Sequence, residues 1–474
     1  MTVESLFEPA IEEIRALIAE QNWPGLNLLL GDFHPAEVAE KWDAFTRDEK
    51  LAILRHFHVA GAVDIFEELE IERQVRLIKG LREERAAAIL EEMAPDERAD
   101  LFAEFPPELA EHFLRAMERE EAEDVRELMN HPPDTAGGLM TTDYAWARVS
   151  MTVGEAIRQF RENFHEAEAV YYVYVLADGD RLEGVVTLKS LMLAPDERPV
   201  RDIMLTNLRT IPPEMDREDA AHHIGMYDLL AVPVVDASGR MLGIVTHDDV
   251  VDVLEIEAAE DFEKFGAVIP GAEEKTYLTT PVLRHCRARI PWLVALLFLS
   301  SLSALLLLHF RGVMEGDWLF WYFLIFSLTP MICATAGNAG TQSATVIIRD
   351  LATGDVAFGE IGRVFFKELS VGLLLGGILA ACAFVRAILT DDTTMEQAML
   401  FGGITALAIF FSMAFATTAG AVLPLLVKRA NLDPAVMSSP LLATVIDNFA
   451  ILIYFSIAIG ALHALAVGQG VPVP

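Results

Sequence analysis

The chain has 474 residues, 53% of them hydrophobic, and carries a formal charge of −35 from 36 Lys+Arg and 71 Asp+Glu. Beyond position 283 there are 10 basic and 11 acidic residues, which leaves 26 basic and 60 acidic, or −34, in positions 1–283. So acidic a surface is a poor partner for nucleic acid and repels itself unless cations screen or bridge it. Cys286, Cys333 and Cys382 form no CxxC pair, which excludes a disulfide framework and a thiolate zinc site.

The opening MTVESLFEPAIEEIRALI is acidic and amphipathic, without the basic region and apolar core of a signal peptide. It is expected to stay in the cytosol. From His34 a short motif recurs, with starts at His34, Thr46, His58, Glu70, Arg82, Pro95, Pro106 and Glu118, spaced 11–13 residues apart. That period is too short for a helix pair. Each unit reads as one short helix and its turn, stacking into a small superhelix. The histidine pairs His56/His58 and His222/His223 lack ligand spacing on a helix and read as ordinary surface or core residues.

A tandem repeat follows. Gly138–Leu139–Met140 opens a first copy that ends AVYYVYVLADGDRLEGVVTLKSL, and Ile203–Met204 opens a second that ends LLAVPVVDASGRMLGIVTHDDV. In each copy a helical segment leads to a strand, a Gly/Asp turn, a second strand and a second helix, with Gly184 and Gly243 in matching contexts. The pair resembles tandem CBS domains, modules that respond to nucleotides or ions. An acidic helix, DVLEIEAAEDFEKFGAV from Asp252, then leads toward the apolar half.

Five stretches are long and apolar enough to cross a bilayer: 291–310, 318–335, 364–389, 399–427 and 441–467. Arg284, Arg287, Arg289, Arg349, Arg363, Lys367, Lys428 and Arg429 fall on the side of the N-terminus, against Arg311 and Arg386 opposite. The positive-inside rule therefore predicts a multi-pass inner-membrane protein with its N-terminus in the cytosol and its C-terminus outside.

An ionisable residue inside a span is a functional candidate by default, and Asp447 reads as the one deep carboxylate. Its helical face would include Ala443, Thr444, Ile451 and Tyr454. The alternative is a structural aspartate bonded to nearby backbone or hydroxyls. In 329–345, Pro330, Gly337 and Gly340 are expected to loosen the second span, so that freed carbonyls with Asn338, Thr341 and Gln342 offer neutral oxygen ligands to a hard cation. Packing through small residues is the alternative there. One aspartate per chain is a weak site, and a twofold dimer with both Asp447 side chains on one pore is a better one.

On AGGLMT (136–141), GNAGTQSAT (337–345), FFKELSVGLLLG (365–376) and SSPLLATVIDNFAILIYF (438–455), the chain resembles the MgtE magnesium channel/transporter family. The resemblance implies a multidomain fold: an all-α helical superhelix N domain over 1–136, an α/β tandem CBS pair over 137–255, an acidic connecting helix over 256–283 and a five-helix transmembrane bundle over 284–474. It implies a homodimer in the lipid bilayer with a central pore, and Mg2+ as both cargo and regulator. Asp447 matches the pore aspartate, and Ser439 stands where the family often has asparagine at the pore entrance. Regulatory magnesium sites carry over to Asp64, Asp96, Asp100, Gly137, Asp228, Asp249, Asp252, Glu257, Glu260 and Asp261. CBS modules that bind adenine nucleotides often have Thr-x-x-Asp after the last strand. The second copy has Thr246 and Asp249, whereas the first has Thr187 and Ser190, which weighs against ATP as a ligand. No nucleophile-and-base pair or catalytic metal motif points to an enzyme. A non-conducting membrane sensor of divalent cations or nucleotide remains the rival reading.

Overall fold

The structure is a computed structural model that describes residues 10–164, 170–270, 280–314, 319–352, 356, 358–390, 395–430, 432–434 and 437–469. The chain divides into two compact units, Met1–Glu255 and Ile256–Pro474, taken here one at a time.

Among its described residues the first unit begins with ten short α-helices. They are α1 (Ala10–Ala19), α2 (Trp23–Leu30), α3 (Pro35–Glu40), α4 (Arg47–His56), α5 (Val59–Glu67), α6 (Ile71–Ile78), α7 (Glu83–Glu92), α8 (Pro95–Ala103), α9 (Pro107–Ala116) and α10 (Arg119–Leu128). Seven of the eight repeat starts, all but Pro95, are the N-cap residues of α3 to α7, α9 and α10, and Pro95 is the first residue of α8. At Thr46 the capping box is complete. Its hydroxyl accepts from the Glu49 amide at 3.4 Å, and the Glu49 carboxylate accepts from the Thr46 amide at 2.7 Å. Trp42, Leu54, Phe66, Leu90 and Phe102 form the core between helices. Arginines tie successive units together by donating to the ends of other helices: Arg85 to the carbonyls of Leu54 and Phe57, Arg55 to that of Gly80, and Arg98 to that of Glu91.

The two copies of the tandem repeat fold as expected. The first has α11 (Val153–Asn163), strands β1 (Trp146–Arg148), β2 (Tyr172–Leu176) and β3 (Leu182–Thr187), then α12 (Leu188–Leu193). Strand β2 pairs parallel with β1 and antiparallel with β3. The second has α13 (Arg217–Met226), antiparallel strands β4 (Ala231–Val235) and β5 (Met241–Thr246), then α14 (His247–Phe265).

The openings of the copies are exchanged. Thr141, which opens the first copy, pairs with Ile244 of the second, and Leu205, which opens the second, pairs with Val185 of the first. This explains the matched glycines. A Cβ on Gly243 would lie 2.5 Å from the Thr141 carbonyl oxygen, and one on Gly184 would lie 2.9 Å from that of Leu205. Helix α14 runs unbroken from the second copy into the acidic segment, so the second CBS helix and the first part of the connecting helix are one element. Residues 271–279, expected to complete that connection, lie outside the described residues.

Among its described residues the second unit holds five helices long and apolar enough to span a membrane: α15 (Val282–Val313), α16 (Leu319–Ala352), α17 (Ile361–Thr390), α18 (Met395–Arg429) and α19 (Ser439–Gln469). One expectation is corrected. Helix α16 is continuous through Pro330, Gly337 and Gly340, so no stretch of it unwinds, and Pro330, which has no N–H, forgoes one helical bond. The small residues serve packing instead. A Cβ on Gly420 of α18 would lie 2.2 Å from the Gly340 oxygen, so the two backbones meet at that level.

Candidate cation sites

In the membrane unit Asp447 lies on α19, half-buried, eight residues after the helix begins at Ser439. It faces α16. The space a Cβ would fill at Gly337 is 3.4 Å from Asp447 Oδ1 and 3.7 Å from the Ala443 methyl. Asp447, Ala443 and Gly337 therefore meet at one place, where glycine leaves room beside the carboxylate. The Thr444 hydroxyl donates to the Pro440 carbonyl at 2.8 Å, back into its own helix. Ile451 and Tyr454, expected on the same polar face, are buried in the bundle core. Asn338 is exposed on α16, and Ser439 is half-buried at the start of α19. Asp447 is not the only carboxylate within the spans. Glu368, in α17, accepts a hydrogen bond from the Ser343 hydroxyl of α16 at 2.8 Å. It escaped notice because it follows Lys367 near the cytosolic end of its span and reads as flank.

In the first unit the structure gathers several of the predicted acids along one seam between the helical domain and the second CBS domain. Burial, and then the charge of Asp249, push Asp96 up to about 7. Its Oδ1 is buried and finds no hydrogen-bond partner among the described residues. Glu97 is pushed up to about 8 by burial and then by Asp96, Glu67, Asp100 and Asp249. Glu67 rises to about 7, first by burial, with Asp64 and Glu68 adding to it, although it accepts the amide of Ala94 at 2.9 Å and so caps α8. Asp100 is raised to about 6, first by burial and then by the charge of Glu104. Asp249 is raised by burial and by its neighbours Asp248 and Asp252, against hydrogen bonds from Thr246.

The seam thus joins Asp64, Asp96, Asp100, Asp249 and Asp252 with two residues missed from sequence, Glu67 and Glu97. Glu97 stood in plain view within PDERADLF. Among the described residues no three His, Cys, Asp or Glu side chains converge tightly enough to grip a metal ion. These acids repel one another without forming a finished cage. Two predicted positions differ in character. Asp228 occupies an exposed left-handed turn (φ 50°) after α13. Gly137 is buried and has no room for a side chain, since a Cβ would lie 2.6 Å from the His131 ring.

The later half of α14 and the loop between α18 and α19 form a second acidic group within the membrane unit. Lys264 Nζ lies 2.7 Å from Glu260 Oε1 and 2.7 Å from Asp433 Oδ2. Burial would lower the lysine pKa, but the bonds to Asp433 and Glu260 outweigh it and raise it. Asp261 is raised by burial and then by Asp433. Asp433 was not anticipated, and its only sequence signal is an acid in a short loop on the cytosolic side.

Comparison with known proteins matches this geometry to a class. Residues 329–457 match a divalent cation transporter family, residues 33–134 the MgtE intracellular N domain, and residues 125–197 and 200–256 CBS domains. The protein is a divalent-cation transport protein whose N-terminal domain is cytosolic. The chain is 35% identical to the magnesium transporter MgtE of Thermus thermophilus over 94% of this chain and 97% of that one. It is 33% identical to the magnesium transporter MgtE of Bacillus subtilis over 74% and 75%. The crystal structure of the soluble part of a magnesium transporter matches 53% of this chain and 99% of that one, with 28% identity and a TM-score of 0.50. The chain belongs to the MgtE family of magnesium transporters. It is a transporter, not an enzyme, and Mg2+ is its substrate.

Proposed function

We propose that two copies of this chain form a Mg2+-selective influx pathway gated by cytosolic Mg2+, with the paired Asp447 carboxylates on one pore and the C-terminus outside. The observation that carries the pore reading is the meeting of Asp447 with Gly337 and Ala443, a carboxylate flanked by small residues inside a bundle of five apolar helices. Magnesium holds its waters and uses one or two carboxylates, which suits a site with one aspartate from each of two chains. Ser439 and Thr444 line the approach from the cytosolic end of α19, and Asn338 faces outward from α16, where a second copy could meet it.

Gating follows from the acidic seam. Two carboxylates about 4 Å apart repel by roughly 4 kcal/mol at an effective dielectric near 20. Mg2+ bound among Asp64, Asp96, Asp100, Asp249 and Asp252, supported by Gly137 and Asp228, would cancel that repulsion and hold a compact closed state. Glu257, Glu260 and Asp261 on α14 would take part in the same response near the first span. The shift requires Mg2+ to bind the closed state better than the open one. ATP is a doubtful ligand in this scheme, because Ser190 stands where the second copy has Asp249.

The test is Mg2+ flux into proteoliposomes containing the full chain. Asp447→Ala should abolish uptake while the dimer still assembles. Unchanged flux would remove Asp447 from the pore, and no flux in the parent protein would leave a sensor in place of a channel.

A further inference from the structure

Successive residues of an α-helix point about 100° apart, so Asp447 and its neighbour Asn448 serve different faces of α19. Asp447 looks toward α16. Asn448, 6% exposed, looks toward α15, where its Oδ1 accepts the hydroxyl of Ser303 at 3.0 Å. Its Nδ2 donates to the Thr444 carbonyl at 2.8 Å. A carbonyl can only accept, so the amide nitrogen must face Thr444, the amide oxygen must face Ser303, and Ser303 must donate. Seven residues further on, Phe310 of α15 stacks on Phe455 of α19 with ring centroids 4.8 Å apart. The same step of seven on both helices means that they run in the same direction and touch in matched layers two turns apart. The outer layer is aromatic. The layer beside Asp447 is a single polar clamp in an apolar setting.

We propose that Asn448, held by Ser303, is the positioning residue for the pore carboxylate. The inference rests on the reading of Asp447 as a pore ligand. An aromatic stack tolerates sliding and rolling, whereas the directional Ser303–Asn448 bond fixes the rotation of α19 about its axis. A 20° roll moves a side-chain tip at a radius of about 5 Å by roughly 2 Å. That displacement would draw the Asp447 carboxylate away from its place beside Gly337. The clamp therefore sets where the carboxylate meets a hydrated cation without touching the ion.

The experiment measures Mg2+ uptake against Mg2+ concentration for the full chain in proteoliposomes, normalised to reconstituted protein, for Ser303→Ala, Ser303→Thr, Asn448→Leu and Asp447→Asn. An interhelical hydrogen bond in a bilayer is modest, so Ser303→Ala and Asn448→Leu should raise the half-saturating Mg2+ concentration about threefold to tenfold. Ser303→Thr keeps the donor and should stay within about twofold of the parent. If Ser303→Ala lowers only thermal stability or yield and leaves half-saturation unchanged, the clamp is mere glue and the proposal falls. Should Asn448→Leu fail to assemble, Ser303→Ala, which removes one hydroxyl, decides alone. Asp447→Asn separates the two readings. Full uptake in that variant overturns the pore assignment and this inference together, whereas lost uptake with a silent Ser303→Ala overturns the positioning role only.

Discussion

Asp96 on α8 and Asp249 on α14 belong to different domains of the cytosolic unit, yet the charge of Asp249 is the largest single charge acting on Asp96. Burial first and then the charge of Asp249 make Asp96 harder to ionise, and the folded chain holds the two together regardless. Their proximity is a cost of folding that something outside the chain must relieve.

The first relief is the proton. Glu67 and Asp96 are raised to about 7, Glu97 to about 8 and Asp100 to about 6, all above the ordinary carboxylate range near 4. Between those limits the folded state binds more protons than the unfolded state, so stability falls as pH rises. The contribution is fully present near pH 4 and is lost as pH climbs through 6 to 8. Without divalent cations, hydrogen-exchange protection of α8 and the start of α14, corrected for intrinsic rate, should therefore decline from pH 6 to pH 8. Rising protection over that range would mean that these acids are stabilised as anions.

The repeat period was legible because the spacing of helix starts and apolar positions is a local pattern, sharpened at His34 and Thr46 by capping boxes. Thr46 with Glu49 is visible in four residues. The exchange of openings between CBS copies was not legible, since the pairing of Thr141 with Ile244 is chosen by packing across a hundred residues. Asp96 and Asp249 entered through family resemblance alone, because sequence does not reveal that a carboxylate will be buried beside another. Gly340 was read with the wrong physics. In water a glycine loosens a helix, but in a bilayer nothing competes for the backbone bonds, and the missing side chain brings helices together.

That contact makes a graded prediction. Alanine at Gly420 would push a methyl to 2.2 Å from the fixed carbonyl oxygen of Gly340. At Gly340 the nearest atom, at 2.0 Å, is the terminal methyl of the buried Ile446 side chain, and the nearest backbone atom, the Ala416 oxygen, is farther off at 3.0 Å. Gly420→Ala should destabilise the bundle by about 1–3 kcal/mol, and Gly340→Ala by less. Thermal unfolding of the two variants in one detergent checks the order, and the reverse order would refute the packing account.

Removing residues 1–130 takes away Asp64, Glu67, Asp96, Glu97 and Asp100 together and leaves Asp249 facing only its helix neighbours Asp248 and Asp252. The truncated chain should still conduct Mg2+, but it should no longer close normally as Mg2+ on the cytosolic face rises. Flux recorded at stepped internal Mg2+ provides the check. Closure at the same concentration as the full chain would show that the helical domain plays no part in sensing.

The second relief of the seam is a divalent cation, and it must be told apart from simple screening. Sodium at matched ionic strength weakens repulsion between exposed charges, but it reaches a buried pair poorly. Mg2+ can coordinate two carboxylates at once. At pH 8, added Mg2+ should make the cytosolic part of the full chain resist protease, and sodium should do much less. Asp96→Asn removes the charge that Asp249 opposes while keeping the side chain's shape, so the variant should be more resistant than the parent before any Mg2+ is added. It should then gain little from Mg2+. Adding Asp100→Asn and Asp249→Asn should abolish the remaining magnesium-specific gain and leave the small effect of salt. If sodium protects the parent as well as Mg2+ does, or if Asp96→Asn is the weaker protein without Mg2+, the seam is no ion bridge and its acids are only a solvated surface.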